Sequence, residues 1–327
     1  MTDRAPVKIV RDQLELGPVT VNFQRTLRIP ETGLHPLPPG LGRFPLRRVA
    51  DYPATAPAEW LARGGVMLPV YQCEAMWLSF DSSEPAALQI GVGKVCAVSG
   101  LPWIEQLIRE PQNYVALPEQ PWLDGINAGE GFIRQFVAAP LGSGATVEGQ
   151  VTGQETHGGV QLRAVGLTEQ ALAEWRATQV AVQPTCYEGP PPLMAEDGVG
   201  DAGMGLGAGG RMRQEVYADD RKLADYDESG ALRVFVHLCS AAQWTAITGE
   251  APPPTPVDRD AYVRAGLPWF DFYQADAKDL AASEVLAKVD TVGKKLGTKA
   301  DPYVPVDMNT VIALGGASPD VVTDGAW

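Results

Sequence analysis

Residues Glu119–Gln135 read EQPWLDGINAGEGFIRQ, a stretch that sets a tryptophan and several carboxyl and amide side chains among three glycines. Glycines at this density let the backbone turn sharply, and polar side chains on such turns satisfy free backbone groups or meet a ligand. The stretch therefore reads as a turn-rich loop held between strands. Trp122, Asp124, Asn127, Glu130, Arg134 and Gln135 are its candidate ligand-binding residues, grouped as hydrogen-bonding side chains around an aromatic platform that suits a sugar or another polar molecule. Asp124 and Glu130 form a pair of carboxylates of the kind used in glycoside cleavage, where separation in space decides the mechanism. The competing reading is a loop whose tryptophan plugs a core while its polar side chains satisfy turn amides.

Outward from this loop the first half of the chain reads as sheet. Val7–Val10 and Val19–Leu27 flank Gly17-Pro18 as a hairpin. Val66–Phe80, Ala87–Val98, Phe132–Ala139, Ala145–Thr152 and Gly159–Val165 follow as strands between glycine turns. Trp103–Arg109 has the spacing of a short helix, and Thr168 is placed to cap another. The stretch 188–210 opens on prolines and closes on GMGLGAGG, which reads as a linker or a surface loop. Gly205, Gly207 and Gly210 satisfy G-x-G-x-x-G there, but no strand is expected before them and no helix after, so the motif is rejected as a dinucleotide site. Beyond it, Leu232–Leu238 reads as a strand, and Ser240 caps a helix that Gly249 ends. Asp258 caps a short helix ended by Gly266, and Asp276–Leu296 has the apolar stripe and end charges of a longer one.

These elements predict an α+β protein, a mainly antiparallel β scaffold with short helices and a smaller C-terminal portion that contains helix. The expected division is a β-rich domain over 1–187, the 188–210 linker or loop, an α+β portion over 211–300 and a tail over 301–327.

The 327 residues carry 40 acidic and 26 basic side chains, a net charge of −14. That balance repels phosphate backbones, and nucleic acid is not an expected partner. Arg43, Arg47 and Arg48 are the nearest approach to a basic cluster. The first residues lack a signal-peptide pattern and no apolar run approaches membrane-spanning length, so a cytoplasmic protein without a membrane partner is expected. Cys73, Cys96, Cys186 and Cys239 form no C-x-x-C and read as reduced thiols. His237 and Cys239 share one strand face, where packing is the expected role.

Asp225, Asp227 and Ser229 match the first half of a calcium loop, yet Val236 stands where the closing glutamate belongs. An acidic turn is favoured over a calcium site, and no other cofactor is expected. LPWFDFY at 267–273 groups four aromatic rings, which suits either a core seam or a docking surface. Together these readings suggest an acidic binding or self-assembling protein whose partner is itself or another protein. The alternative is a hydrolase or lyase acting on a polar substrate through the 119–135 loop.

Overall fold

In a computed structural model of the chain, which describes residues 7–129, 131–178, 203–256, 259–272, 279–281, 283–297 and 308–314, the organising pairing joins Val19–Thr26 to Ala75–Ser82. The two run antiparallel with Val19 opposite Ser82 and Thr26 opposite Ala75. On one side the row continues through Gln13–Leu16 to Lys8–Val10. On the other, Trp122–Leu123 and Phe132–Pro140 share the free edge of Ala75–Ser82, and Met204–Arg213 closes the row. A second row runs Val115–Leu117, Ala86–Val92, Val160–Gly166, Leu232–Ser240, Val66–Val70 and Arg47–Arg48. The pair Met204 and Leu238 joins the rows into one 17-stranded sheet. The fold is therefore mainly antiparallel β with a few short helices, and the exceptions within this sheet are the parallel contacts of Leu232–Ser240 with Val66–Val70 and of Met204–Arg213 with Leu34–His35.

Alternation fixes which side chains face inward. Val21 and Phe23 from the first row and Leu88, Ile90, Leu162 and Val236 from the second belong to one apolar cluster, so the rows face each other across a shared core. Each such side chain contributes roughly 1.5–3 kcal/mol by leaving water. Trp269 joins this core at 1% exposure, with Tyr262 edge-on at 5.9 Å. The aromatic run at 267–273 thus spends its first ring on packing. Its strand, Trp269–Phe272, pairs in parallel with Val311–Leu314.

Several elements differ from expectation, each for a local reason. GLGAGG is not a loop but part of the strand Met204–Arg213, while the earlier part of 188–210, up to 202, lies outside the described residues. Its glycines are needed because other chain segments press on it: a Cβ on Gly207 would lie 2.5 Å from the Ala145 carbonyl oxygen, and one on Gly210 2.1 Å from that of Pro30. This strand and Leu232–Ser240 lie in the same sheet as the strands of 1–187. Thr146–Thr152 is not a strand but the lead-in and body of a helix, Val147–Thr152, with the Thr146 hydroxyl accepting from the Gly149 amide. Val147 and Val151 are four residues apart, a spacing that fits both the strand and the helix period.

Trp103–Arg109 is irregular rather than helical. Its carbonyls at Ile104 and Gln106 accept from the Gln89 amide, and its Leu107 amide donates to Glu228, so the backbone bonds outward instead of along a helix axis. In the described part of the expected helix over 276–296 the chain forms Glu284–Ala287 and Val292–Leu296, because Ser283 and Thr291 each cap a new start, while 276–278 and 282 lie outside the described residues. Ser240 and Gly249 do bound the helix Ala241–Thr248 as expected, and Thr168 accepts from the Ala171 amide at the start of Glu169–Thr178. Asp258 lies outside the described residues.

The glycine strand yields a stability test. Gly210→Ala should cost about 1–3 kcal/mol through overpacking against Pro30, whereas Gly203→Ala, whose nearest neighbour would be 3.5 Å away, should be near neutral. Urea denaturation of both variants measures this, and equal midpoints would show that the close approach at Gly210 does not exist.

Candidate functional site

The 119–135 region folds into the hairpin of Gly125–Gly129 with Phe132–Pro140, and its polar side chains are largely consumed by the protein itself. Gln135 is fully buried, with its oxygen accepting from the Ile29 amide at 3.0 Å and its nitrogen donating to the Leu27 carbonyl at 2.8 Å. Asn127 donates to the Val98 carbonyl and accepts from the Gly129 amide. Arg134 reaches away from the loop to the Val289 carbonyl at 2.6 Å and that of Ala287. Glu130 lies outside the described residues. The structure brings Trp122 and Asp124 together and sends Arg134, Asn127 and Gln135 elsewhere.

Asp124 is the electrostatic exception. Gln214 grips it twice, donating to its carboxylate at 2.8 Å and accepting from its backbone amide at 2.9 Å. Burial pushes its pKa up to about 7, against the opposing pull of hydrogen bonds from the Gln214 and Trp122 side chains. Two further glutamines work in the same manner on the segment that follows Gln214. Gln120 donates to the Glu215 carbonyl and accepts from the Tyr217 amide, and Gln112 donates to the Tyr217 carbonyl and accepts from the Asp219 amide. Side-chain amides thus stand in for a neighbouring strand along 215–219.

The other candidates also serve the fold. Asp225 accepts from the Lys222 amide, and Asp227 accepts from both the amide and the hydroxyl of Ser229. Among the described residues no group of three or more His, Cys, Asp or Glu side chains is placed to hold a metal ion. His237 bonds the Gly64 carbonyl at 2.9 Å and Cys239 donates to that of Leu68, so they form no nucleophile–base pair. Burial lowers the His237 pKa to about 4 and raises that of the Cys239 thiol, leaving both neutral near pH 7. Cys96 and Cys239 are free thiols, and Cys186 lies outside the described residues.

Free polar chemistry collects elsewhere, in a groove of about 1050 Å³ lined by the N-terminal strand Lys8–Val10 and by strands of the second row from Val160–Gly166 to Arg47–Arg48. Lys8, Arg47, Arg48, Arg63, Lys94 and Arg233 line it, and among the described residues the carboxylates in the lining are Asp51 and Glu105. Arg47 pairs with Asp12 and Glu250, Arg48 with Asp51, and Arg233 with Glu105. Lys8, Arg63 and Lys94 are exposed and have no carboxylate within ion-pair distance among the described residues. Arg63 instead lies over the Phe235 ring at 4.7 Å and donates to the His157 carbonyl.

Lys94 is held by the fold at some cost. It sits with Gly93 in a two-residue turn with φ of +61° and +57°, joining Ala86–Val92 to Val95–Cys96. A left-handed conformation costs a non-glycine residue roughly 1–2 kcal/mol, and here its amide is secured by the Gln161 oxygen at 2.7 Å. Of these cations the sequence pointed only to Arg47 and Arg48. Gly93-Lys94 between two apolar runs was a legible hairpin signal, whereas Lys8 and Arg63 carry none.

Comparison of the chain with protein-family models, with curated proteins and with solved structures finds no match. No helix among the described residues is long and apolar enough to cross a membrane.

The raised pKa of Asp124 sets a pH dependence. A carboxyl whose folded pKa lies near 7, above its unfolded value near 4, favours folding below pH 4, and this contribution is lost as pH rises to 7. Asp124→Asn should therefore gain stability relative to the unaltered protein between pH 4 and 8, by at most about 4 kcal/mol. Chemical denaturation across that range checks it, and a stability difference independent of pH would remove the buried carboxyl from the account.

Proposed function

We propose that the protein is a binding protein and that the groove is its site for an anionic ligand. The observation that carries this reading is the convergence of Lys8, Arg63 and Lys94, without carboxylate partners among the described residues, on one cavity of a chain whose net charge is −14. Distant carboxylates do not cancel them, because charges further off than about 8 Å are screened at physiological salt. A volume near 1000 Å³ is at the upper end for small-molecule sites, and the partly exposed Val10 and Val234 in its lining supply the mixed surface such sites have.

The hydrolase or lyase reading needs polar groups free to meet a substrate, and in the 119–135 region Asp124, Asn127 and Gln135 are bonded to protein atoms. Self-association through the aromatic run has less support, since Trp269 spends its surface on the core. The division into a β scaffold and a smaller C-terminal portion does not bear on the groove, which draws its cations from the strand Lys8–Val10, the second row, the helix Ala58–Arg63 and the turn at Gly93-Lys94.

Calorimetric titration with inorganic pyrophosphate tests the reading. Binding should weaken as salt rises, and Lys8→Glu and Lys94→Glu should each weaken it about tenfold, the size of one charged hydrogen bond. Both residues are exposed, so the variants should keep the melting temperature. Charge-reversed proteins that bind pyrophosphate as the unaltered chain does would place the anion elsewhere.

A further inference from the structure

We propose that the groove takes a nucleoside diphosphate, with its phosphates among Lys8, Arg63 and Lys94 and its base against the Trp103 indole. This rests on the reading of the groove as an anion site and adds the flat half of the ligand. Trp103 lines the groove half-buried and is fixed there twice. Its backbone amide donates to the Lys94 carbonyl at 2.8 Å, and its ring lies so close over Gly91 that a Cβ there would stand 2.6 Å from it. An aromatic surface and an unpaired ammonium therefore rise from hydrogen-bonded neighbours, the juxtaposition that a base joined to a phosphate requires.

Arg63 is also prepared in advance. Trp60 stacks on His237 at 4.5 Å, His237 meets Phe235 at 4.5 Å, and Phe235 carries the Arg63 guanidinium at 4.7 Å. The column begins in the helix Ala58–Arg63 that also bears the arginine, so its fork is oriented before any ligand arrives and less freedom is lost on binding. Neutral His237 lets the column stack without a second positive charge against Arg63.

Charge decides between a short and a long anion. Three cations that lack a carboxylate partner among the described residues match the charge of a diphosphate ester, whereas a nucleic-acid strand would run beyond them onto the surface of a chain with 40 acidic and 26 basic residues.

Titration calorimetry with ADP, pyrophosphate and adenosine, in magnesium-free buffer, tests the proposal. ADP should bind at least about tenfold tighter than pyrophosphate, the gain that one base stacked on an aromatic side chain supplies. Trp103→Ala should bring ADP to the level of pyrophosphate and leave pyrophosphate unchanged, while Trp103→Phe should keep a preference for ADP. If Trp103→Ala fails to fold, the ratio of ADP to pyrophosphate in the unaltered protein still decides. Equal affinities for the two would overturn the nucleotide assignment and leave the anion site standing. No binding of either would overturn both.

Discussion

Arg163 is the constraint around which the second row is arranged. Its strand, Val160–Gly166, is covered on both faces, and alternation sends Leu162 and Ala164 into the core and Gln161 and Arg163 to the opposite side, where both are also buried. A guanidinium without water needs partners in place, since an unpaired buried charge costs several kcal/mol. Gln89, on the adjacent strand, accepts from it at 2.9 Å, and Glu228 pairs with it from the turn before Leu232–Ser240. The two partners then hold the segment above, Gln89 through the Ile104 and Gln106 carbonyls and Glu228 through the Leu107 amide. Trp103 and Glu105, which form one wall of the groove, take their positions from that arrangement. The groove is thus a consequence of how the sheet satisfies its own buried polar side chains.

Much of the sheet was readable because alternation and turn residues speak locally. Leu232–Ser240, Phe132–Pro140 and the capped helix Ala241–Thr248 follow from periods and from a serine and a glycine at the right places. What failed depended on distant partners. The glycines of Met204–Arg213 look like a flexible loop until Ala145, Pro30 and Val137 are known to press against them, and no local signal announces a close approach from residues so far away in sequence. The apolar spacing of Trp103–Arg109 suits a helix, yet the buried amide of Gln89 and the carboxylate of Glu228 compete for its backbone and win.

The same reasoning explains why the groove was hidden. Its cations without a carboxylate partner among the described residues are at 8, 63 and 94, far apart in sequence, and a net charge of −14 conceals a local excess of the opposite sign. Arg43, Arg47 and Arg48 were visible because they are neighbours in the chain. Two of the three line the groove, but Arg47 and Arg48 are already paired with carboxylates. Clustering in sequence and availability in space are different properties, and only the second bears on a ligand.

The 119–135 stretch shows the converse, polar density without freedom. An amide side chain carries the same donor and acceptor as a peptide group, so a glutamine can satisfy a chain segment where no strand lies alongside. Gln112 and Gln120 do this for alternate residues of 215–219, and Gln214 returns the favour to Asp124. Leaving those backbone groups buried and unmatched would cost about 1–3 kcal/mol each, which is reason enough for a protein to spend its amides this way. Asp124 alone goes beyond the pattern, since an amide would fill its place without a charge to desolvate, and its raised pKa reports that cost. The indole of Trp122 and the amide of Gln214 offset part of it, so the three side chains act as one unit that fastens the start of the hairpin to the strand Met204–Arg213 and the segment beyond it.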